Sequence, residues 1–227
     1  MYHKGSVLSS VCAGSFILAN TGLLDFKKAT THWTYEPLFE KSFPNIELDC
    51  NAMIVDEMVR SGSRIITAGG MSAYVDLALY FIEKYLSKQS ANQCANLLLV
   101  ERGRDSQRSY KNLATTLFIE DKAISSLLLW IKKNLHKNIS TQDLAKKMNL
   151  QERSFLRQFK KVVQITPNKY LQNIRIEEAK SLLINSSKNF EEITSDVGFY
   201  NESSFRRLFK KETALTPGEY RKKFQYV

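Results

Sequence analysis

SFLRQFKK at residues 154–161 returns as SFRRLFKK at residues 204–211. Ser154, Phe155, Arg157, Phe159, Lys160 and Lys161 recur 50 residues later as Ser204, Phe205, Arg207, Phe209, Lys210 and Lys211. The match runs on through Thr166-Pro167 and Thr216-Pro217 to Tyr170 and Tyr220. Upstream, Leu144, Met148 and Leu150 align with Ile193, Val197 and Phe199 at a spacing of 49, so the second copy holds one inserted residue between Phe199 and Ser204. An insertion confined to a short loop, with matches on both sides, is the mark of duplicated folded units.

Each unit reads as two helices joined by a tight turn. In the first, Asp143 to Met148 leads through Asn149 to a helix over Glu152 to Val162. In the second, Glu191 to Val197 leads through Gly198 to a helix over Glu202 to Lys211. Asn149 and Gly198 occupy matching positions, and both residue types tolerate a left-handed backbone. Asn201 is a good helix cap and the corresponding Gln151 a poorer one. The phenylalanines are spaced i, i+4, which places both on one buried face. Arg153, Arg157, Lys160 and Lys161 fall off that face, as do Arg206, Arg207, Lys210 and Lys211. A basic second helix in a helix-turn-helix, present twice, is the pattern of a module that grips a polyanion.

Between the units the pattern gives a helix of about residues 167–184, with Pro167 in its first turn, where a missing N–H costs nothing. Its length, ~27 Å at ~1.5 Å per residue, would set the two second helices about one DNA turn, ~34 Å, apart.

The charge agrees. The chain has 227 residues and a net charge of +10. Residues 1–121 hold 12 basic and 13 acidic side chains, residues 122–227 hold 21 and 10. All of the excess lies in the second half, which implies a polyanion-binding module joined to a near-neutral one. Hydrophobic residues make up 43%, enough for packed cores. No apolar run reaches the ~18–20 residues of a membrane span. His3, Lys4 and the run Val7–Ala19 imitate a signal peptide, but Ser9, Ser10, Gly14 and Ser15 interrupt it. Cys12, Cys50 and Cys94 are an odd number without CxxC spacing, which argues against a disulfide framework or a structural metal. No cofactor or metal is expected, and the expected location is cytoplasmic, at the nucleoid.

Residues 124–227 resemble the DNA-binding domain of AraC/XylS-type transcriptional regulators, and VGFYNESSFRRLFKKETALTPGEYRKKF (197–224) is similar to the signature segment of that family. Two departures stand out: Ser204 where an aromatic is frequent, and Ala214 where Gly is frequent. Helical geometry, with the resemblance, implies that Arg153, Leu156 and Arg157 face base edges in the first unit, and Ser203, Ser204 and Arg207 in the second. Arg157 and Arg207 suit guanine, while Lys160, Lys161, Lys210 and Lys211 suit phosphates.

The first half reads as α/β. Ser6 to Val11 is a short buried strand, followed by a tight turn with Cys12 at its apex and a helix to Thr21. Further strands are expected at Ile46–Leu48, Met53–Val55 and Arg64–Thr67, and helices over about 71–87 and Asn92 to Arg102. Strand, sharp turn and helix around Cys12 have the form of a nucleophile elbow. SVCAGSFILANTGLLDFKKATTHW and RIITAGGMSAYVDLALYFIE (64–83) resemble the class I glutamine-amidotransferase-like, or PfpI-like, superfamily. In its enzymes the elbow Cys works with a His, matched here by Cys12 and His32, and often with an earlier Glu, which has no match. About half of the α/β domain of that superfamily has no counterpart, so a truncated reading frame is expected, with a second chain supplying the missing half as the alternative. Cys50 and Cys94 read as apolar packing, His136 as a charge complement at a helix end, and Asp76 as a local cap or pair.

The expected architecture is therefore a truncated flavodoxin-like, PfpI-like α/β domain over residues 1–105, a connector over 106–122, and an all-α domain with two helix-turn-helix units over 123–227. The expected function is sequence-specific DNA-binding transcription regulation without catalysis. The expected partners are double-stranded DNA, a small-molecule effector, RNA polymerase if the chain activates, and a second copy through the N-terminal half. A cysteine-dependent hydrolase or amidotransferase using Cys12 and His32 is the alternative.

Overall fold

The computed structural model describes residues 6–59, 62–112 and 121–225. His3, Lys4 and residues 113–120 of the expected connector lie outside the described residues. The chain divides into two units, Met1–Lys111 and Asn112–Val227.

The N-terminal unit is built on β1 (Val7–Val11), β4 (Ile54–Met58) and β5 (Arg64–Ala68), in the order β1-β5-β4. β1 is parallel to β5, with Val7 opposite Arg64 and Val11 opposite Ala68; β4 is antiparallel to β5. Side chains alternate across a sheet, and this one is covered on both faces. Ile65 packs with Leu8, Ala19 and Phe39, whereas Ile66 and Ala68 pack with Val11, Ala73 and Leu77. The first face is covered by α1 (Gly14–Asn20) and α2 (Glu36–Ser42), the second by α3 (Ala73–Tyr85). Two-sided cover explains why β5 reads as a continuous run, Ile-Ile-Thr-Ala, rather than an alternating one.

Several elements differ from expectation. β3 (Glu47–Leu48) falls inside the expected strand Ile46–Leu48, whereas β2 (Lys28–Ala29) and α2 are too short to carry a period, so residues 23–45 show little pattern. α4 spans Lys88–Leu97 instead of Asn92 to Arg102. Ser87 accepts from the Ser90 N–H at 3.0 Å and starts the helix early, and Leu99, at φ 54°, follows its end. Part of the expected connector belongs to the N-terminal unit. The Gln107 side chain, 3% exposed, donates to the carbonyls of Thr31 at 2.9 Å and Ala52 at 3.0 Å. Lys111 pairs with Glu36 at 2.9 Å. A polar segment can be ordered when each of its donors finds a partner, which composition alone does not reveal.

The C-terminal unit comprises α5 (Lys122–Lys133), α6 (Thr141–Lys147), α7 (Glu152–Val163), α8 (Pro167–Asn185), α9 (Phe190–Asp196), α10 (Glu202–Thr213) and α11 (Pro217–Phe224). It has two hydrophobic cores. Ile131, Leu144, Phe155 and Phe159 fill the first, and Ile193, Val197, Phe205 and Phe209 the second. α8 serves both: Leu171 and Ile174 enter the first core, Ile176, Ala179 and Leu183 the second. Capping repeats along with packing. Ser140 with Asp143, Asn189 with Glu192 and Thr216 with Glu219 form reciprocal capping boxes at the starts of α6, α9 and α11. Thr166 caps α8, where Pro167 opens the first turn.

Candidate nucleic-acid interface

The turns that launch α7 and α10 are left-handed where the sequence places Asn149 and Gly198, at φ 53° and 76°. Gly198 has a second reason to be glycine. A Cβ there would lie 2.2 Å from the Leu135 carbonyl oxygen. Asn201 caps α10 by accepting from the Ser204 N–H at 2.8 Å, whereas Gln151 makes no side-chain cap on α7. Both helices end in a left-handed residue, Gln164 at φ 66° and Ala214 at φ 65°.

Phe155, Phe159 and Val163 anchor one side of α7, and Phe205, Phe209 and Thr213 one side of α10. That burial turns the remaining positions outward. Arg153, Leu156, Arg157, Lys160 and Lys161 are exposed on α7, as are Ser203, Ser204, Arg207, Lys210 and Lys211 on α10. All ten predicted contact residues thus sit on the solvent sides of the two matching helices. Leu156 is the large apolar side chain on that surface, 38% exposed. Arg207 approaches Ser204, Nη2 to Oγ 3.5 Å. Arg206 is committed elsewhere: it bonds Glu202 one turn away and lies over the Phe190 ring at 4.8 Å.

One exposed residue escaped the sequence reading. Tyr200 is the inserted residue of the second copy, and it stands 82% exposed in the turn before α10. The break in the repeat was its signal. The cap of α5 was also missed: Asp121 accepts from the Ala123 and Ile124 N–H groups at 3.0 Å and from the Gln158 side chain of α7 at 3.2 Å. The Ile124 N–H bond leads in holding the Asp121 carboxyl below its ordinary pKa.

In the N-terminal unit, Cys12 has φ 55°, so the sharp turn of the elbow form is present. Its N–H donates to the Ala68 carbonyl at 3.0 Å, and its own carbonyl accepts from the Thr31 hydroxyl at 2.8 Å. His32 caps a short 3₁₀ turn, Trp33–Tyr35. Its Nδ1 accepts from the Thr34 N–H at 3.1 Å and lies 2.7 Å from the Thr34 hydroxyl, which puts the proton of the neutral ring on Nε2. Partial burial lowers its pKa. His32 lines a cavity of about 290 Å³ together with Trp33, Met53, Arg104, Gln107 and Tyr110; Cys12 is not among the lining residues. Asp76 pairs with Arg104, whose Nε lies 3.1 Å from Oδ1. Cys50 is buried and its thiol is pushed up to about 12, chiefly by burial. Among the described residues no group of three His, Cys, Asp or Glu side chains is placed to hold a metal ion, and no helix is long and apolar enough to cross a membrane.

Two exposed second helices on duplicated cores define the C-terminal unit as a double helix-turn-helix domain. Residues 144–223 match the family model described as a helix-turn-helix domain, and residues 1–84 match the DJ-1/PfpI family. The HTH-type transcriptional regulator GbdR of Pseudomonas aeruginosa is 26% identical over 197 residues, covering 86% of this chain and 52% of the relative. Isonitrile hydratase of Pseudomonas putida is 36% identical over 84 residues, 37% of this chain and 33% of the relative. The DNA-binding domain of the transcriptional factor AdpA, solved with a target DNA, is 24% identical with a TM-score of 0.44, over 45% of this chain and 92% of that one. The chain spans about half the length of the curated regulators it matches. A helix-turn-helix match and a DJ-1/PfpI match thus lie in one chain.

Proposed function

We propose that the chain is a sequence-specific DNA-binding transcription regulator that reads two successive major grooves with α7 and α10. The observation that carries this reading is the same basic, outward side on two matching helices, each anchored from behind by an i, i+4 phenylalanine pair. Arg153, Leu156 and Arg157 read bases in one groove, and Ser203, Ser204 and Arg207 in the next. Lys160, Lys161, Lys210 and Lys211 hold phosphates, which adds affinity without sequence information. The α8 helix, 19 residues long and so ~28 Å at ~1.5 Å per residue, supports a spacing of about one turn.

The N-terminal unit serves as an effector-sensing or dimerising segment, and the cavity at His32 suits a small molecule. The chain works in the cytoplasm at the nucleoid, and it meets RNA polymerase if it activates. We assign no catalytic role. The left-handed Cys12 favours a second reading, a cysteine-dependent enzyme, but the Nδ1 of His32 is occupied as a cap. A Cys12→Ser variant separates the two: unchanged effector response and DNA binding leave the enzyme reading without support.

The test of the main reading is selection of duplexes from a random library by the purified chain. Enrichment of a two-part site with about one-turn spacing supports it. Equal binding of random and enriched DNA at every salt concentration overturns it.

A further inference from the structure

We infer that Arg175 is the residue that locks the two helix-turn-helix units together and so sets the half-site spacing the chain accepts; this rests on the DNA-binding reading above. Arg175 lies on α8, between the side chains that α8 gives to the first core and those it gives to the second. Its Nη2 donates to the carbonyls of Leu135 at 3.3 Å and Lys137 at 2.9 Å, in the loop that follows α5. Its guanidinium lies over the Phe199 ring at 5.3 Å, in the second unit. Among the described residues it pairs with no carboxylate, and its buried Nε has no hydrogen-bond partner.

The same spot holds Gly198. A Cβ there would be 2.2 Å from the Leu135 oxygen and 3.1 Å from Arg175 Nη2. The turn of the second unit is therefore seated directly on the loop that closes the first, and Arg175 grips both. A second tie, Lys169 to Glu212 at 2.8 Å, is partly exposed and adds little. A part-buried guanidinium without a counter-ion is costly to hold. Arg is suited to the place because its planar fork donates to carbonyls while its face stacks on a ring.

Arg221 supplies an internal control. Its Nε donates to the Leu183 carbonyl at 3.0 Å, and its Nη2 to those of Ser186 and Lys188. It grips the end of α8 as Arg175 grips the end of α5, but it ties α11 to its own unit only.

Two linked binding modules gain from their linkage only when both can engage at once. A locked pair pays for any change of spacing with the whole gain from linkage; a loosened pair adapts. The test uses the full chain and the two-part duplex it selects, with half-sites at one turn or shifted by about half a turn, at fixed salt. A single half-site duplex serves as reference. The wild type should lose about 100-fold on the shift, and Arg175→Met less than about tenfold, with half-site affinity unchanged. Arg221→Met should keep the wild-type profile. Phe199→Leu, which removes the ring and leaves the carbonyl grip, should flatten the profile in part, and it decides the matter if Arg175→Met does not fold. A wild-type spacing profile in Arg175→Met, or in Phe199→Leu where that variant decides, overturns the inference. So does a parallel loss of half-site affinity, since Arg175 would then only hold the fold. If the wild type itself selects no duplex, the DNA-binding reading fails first and takes this one with it.

Discussion

Tyr170 and Phe159 stand edge to face with ring centroids 5.8 Å apart, and Tyr220 repeats the arrangement on Phe209 at 5.5 Å. Burial raises both phenols to about 12. The internal repeat is thus a repeat of packing, with matched rings in two separate cores.

The phenylalanines should carry the fold. Phe205 is fully buried, stacked with Phe190 at 5.5 Å and with Phe199 at 4.2 Å. Phe205→Ala should destabilise the C-terminal unit by ~3–5 kcal/mol, read from urea unfolding followed by circular dichroism. A loss below ~1 kcal/mol would mean that the second core collapses around the missing ring.

Ala214 sits in the left-handed conformation at the end of α10. A Cβ there costs about 1–2 kcal/mol, partly offset in glycine by extra chain entropy. Ala214→Gly should therefore raise the unfolding free energy by ~0.5–1 kcal/mol, with unchanged DNA binding.

Arg207 and Lys211 should separate base reading from phosphate binding. Arg207→Ala should relax preference at one base position by ~1–3 kcal/mol. Lys211→Ala should weaken all duplexes about equally and reduce the salt slope by ~1. An unchanged base profile in Arg207→Ala would refute its role.

Tyr200 is exposed beside the start of α10 and contributes little to the core. Tyr200→Ala should leave the melting temperature within about 2 °C, since surface changes stay within ~0.5 kcal/mol. It should lower affinity for the selected duplex in a band-shift titration. Unchanged affinity would leave Tyr200 as an ordinary exposed turn residue.

Two capping carboxylates predict an acid limb. Bonds from the Ser140 hydroxyl and N–H hold Asp143 below its ordinary pKa, and the Thr216 N–H and hydroxyl do the same for Glu219. A depressed carboxylate binds fewer protons in the folded than in the unfolded chain. Its stabilisation is present above the unfolded value, about 4, and fades as pH falls through the lower folded one. The melting gap between wild type and the Asp143→Ala, Glu219→Ala double variant should therefore be constant near neutrality and close below about pH 4.

Much of the C-terminal unit was legible because its rules are local. The phenylalanine spacing named the buried side of α7 and α10, and the basic residues left over named the outer one. Asn149, Gly198 and Asn201 marked the turns and a helix start, since backbone handedness and capping depend on a few consecutive residues. The sheet strands at β1 and β5 were also legible, as short apolar runs. The stretch from Leu23 to Asn45 was not, because a two-residue strand and a seven-residue helix are shorter than the pattern that would reveal them.

By itself, the sequence determined the duplication, the charge division between the halves, the helix-turn-helix units and the outward basic residues. Periodicity, caps and composition carry all of these within a few turns of chain. The tertiary structure alone decided that α8 feeds two cores, that Gly198 seats against Leu135, and that Arg175 bridges the units. It also decided that Gln107 completes the N-terminal unit and that His32 serves as a cap. These depend on groups far apart in the chain meeting at hydrogen-bond or van der Waals distance, and no local pattern encodes which carbonyl or ring will be there.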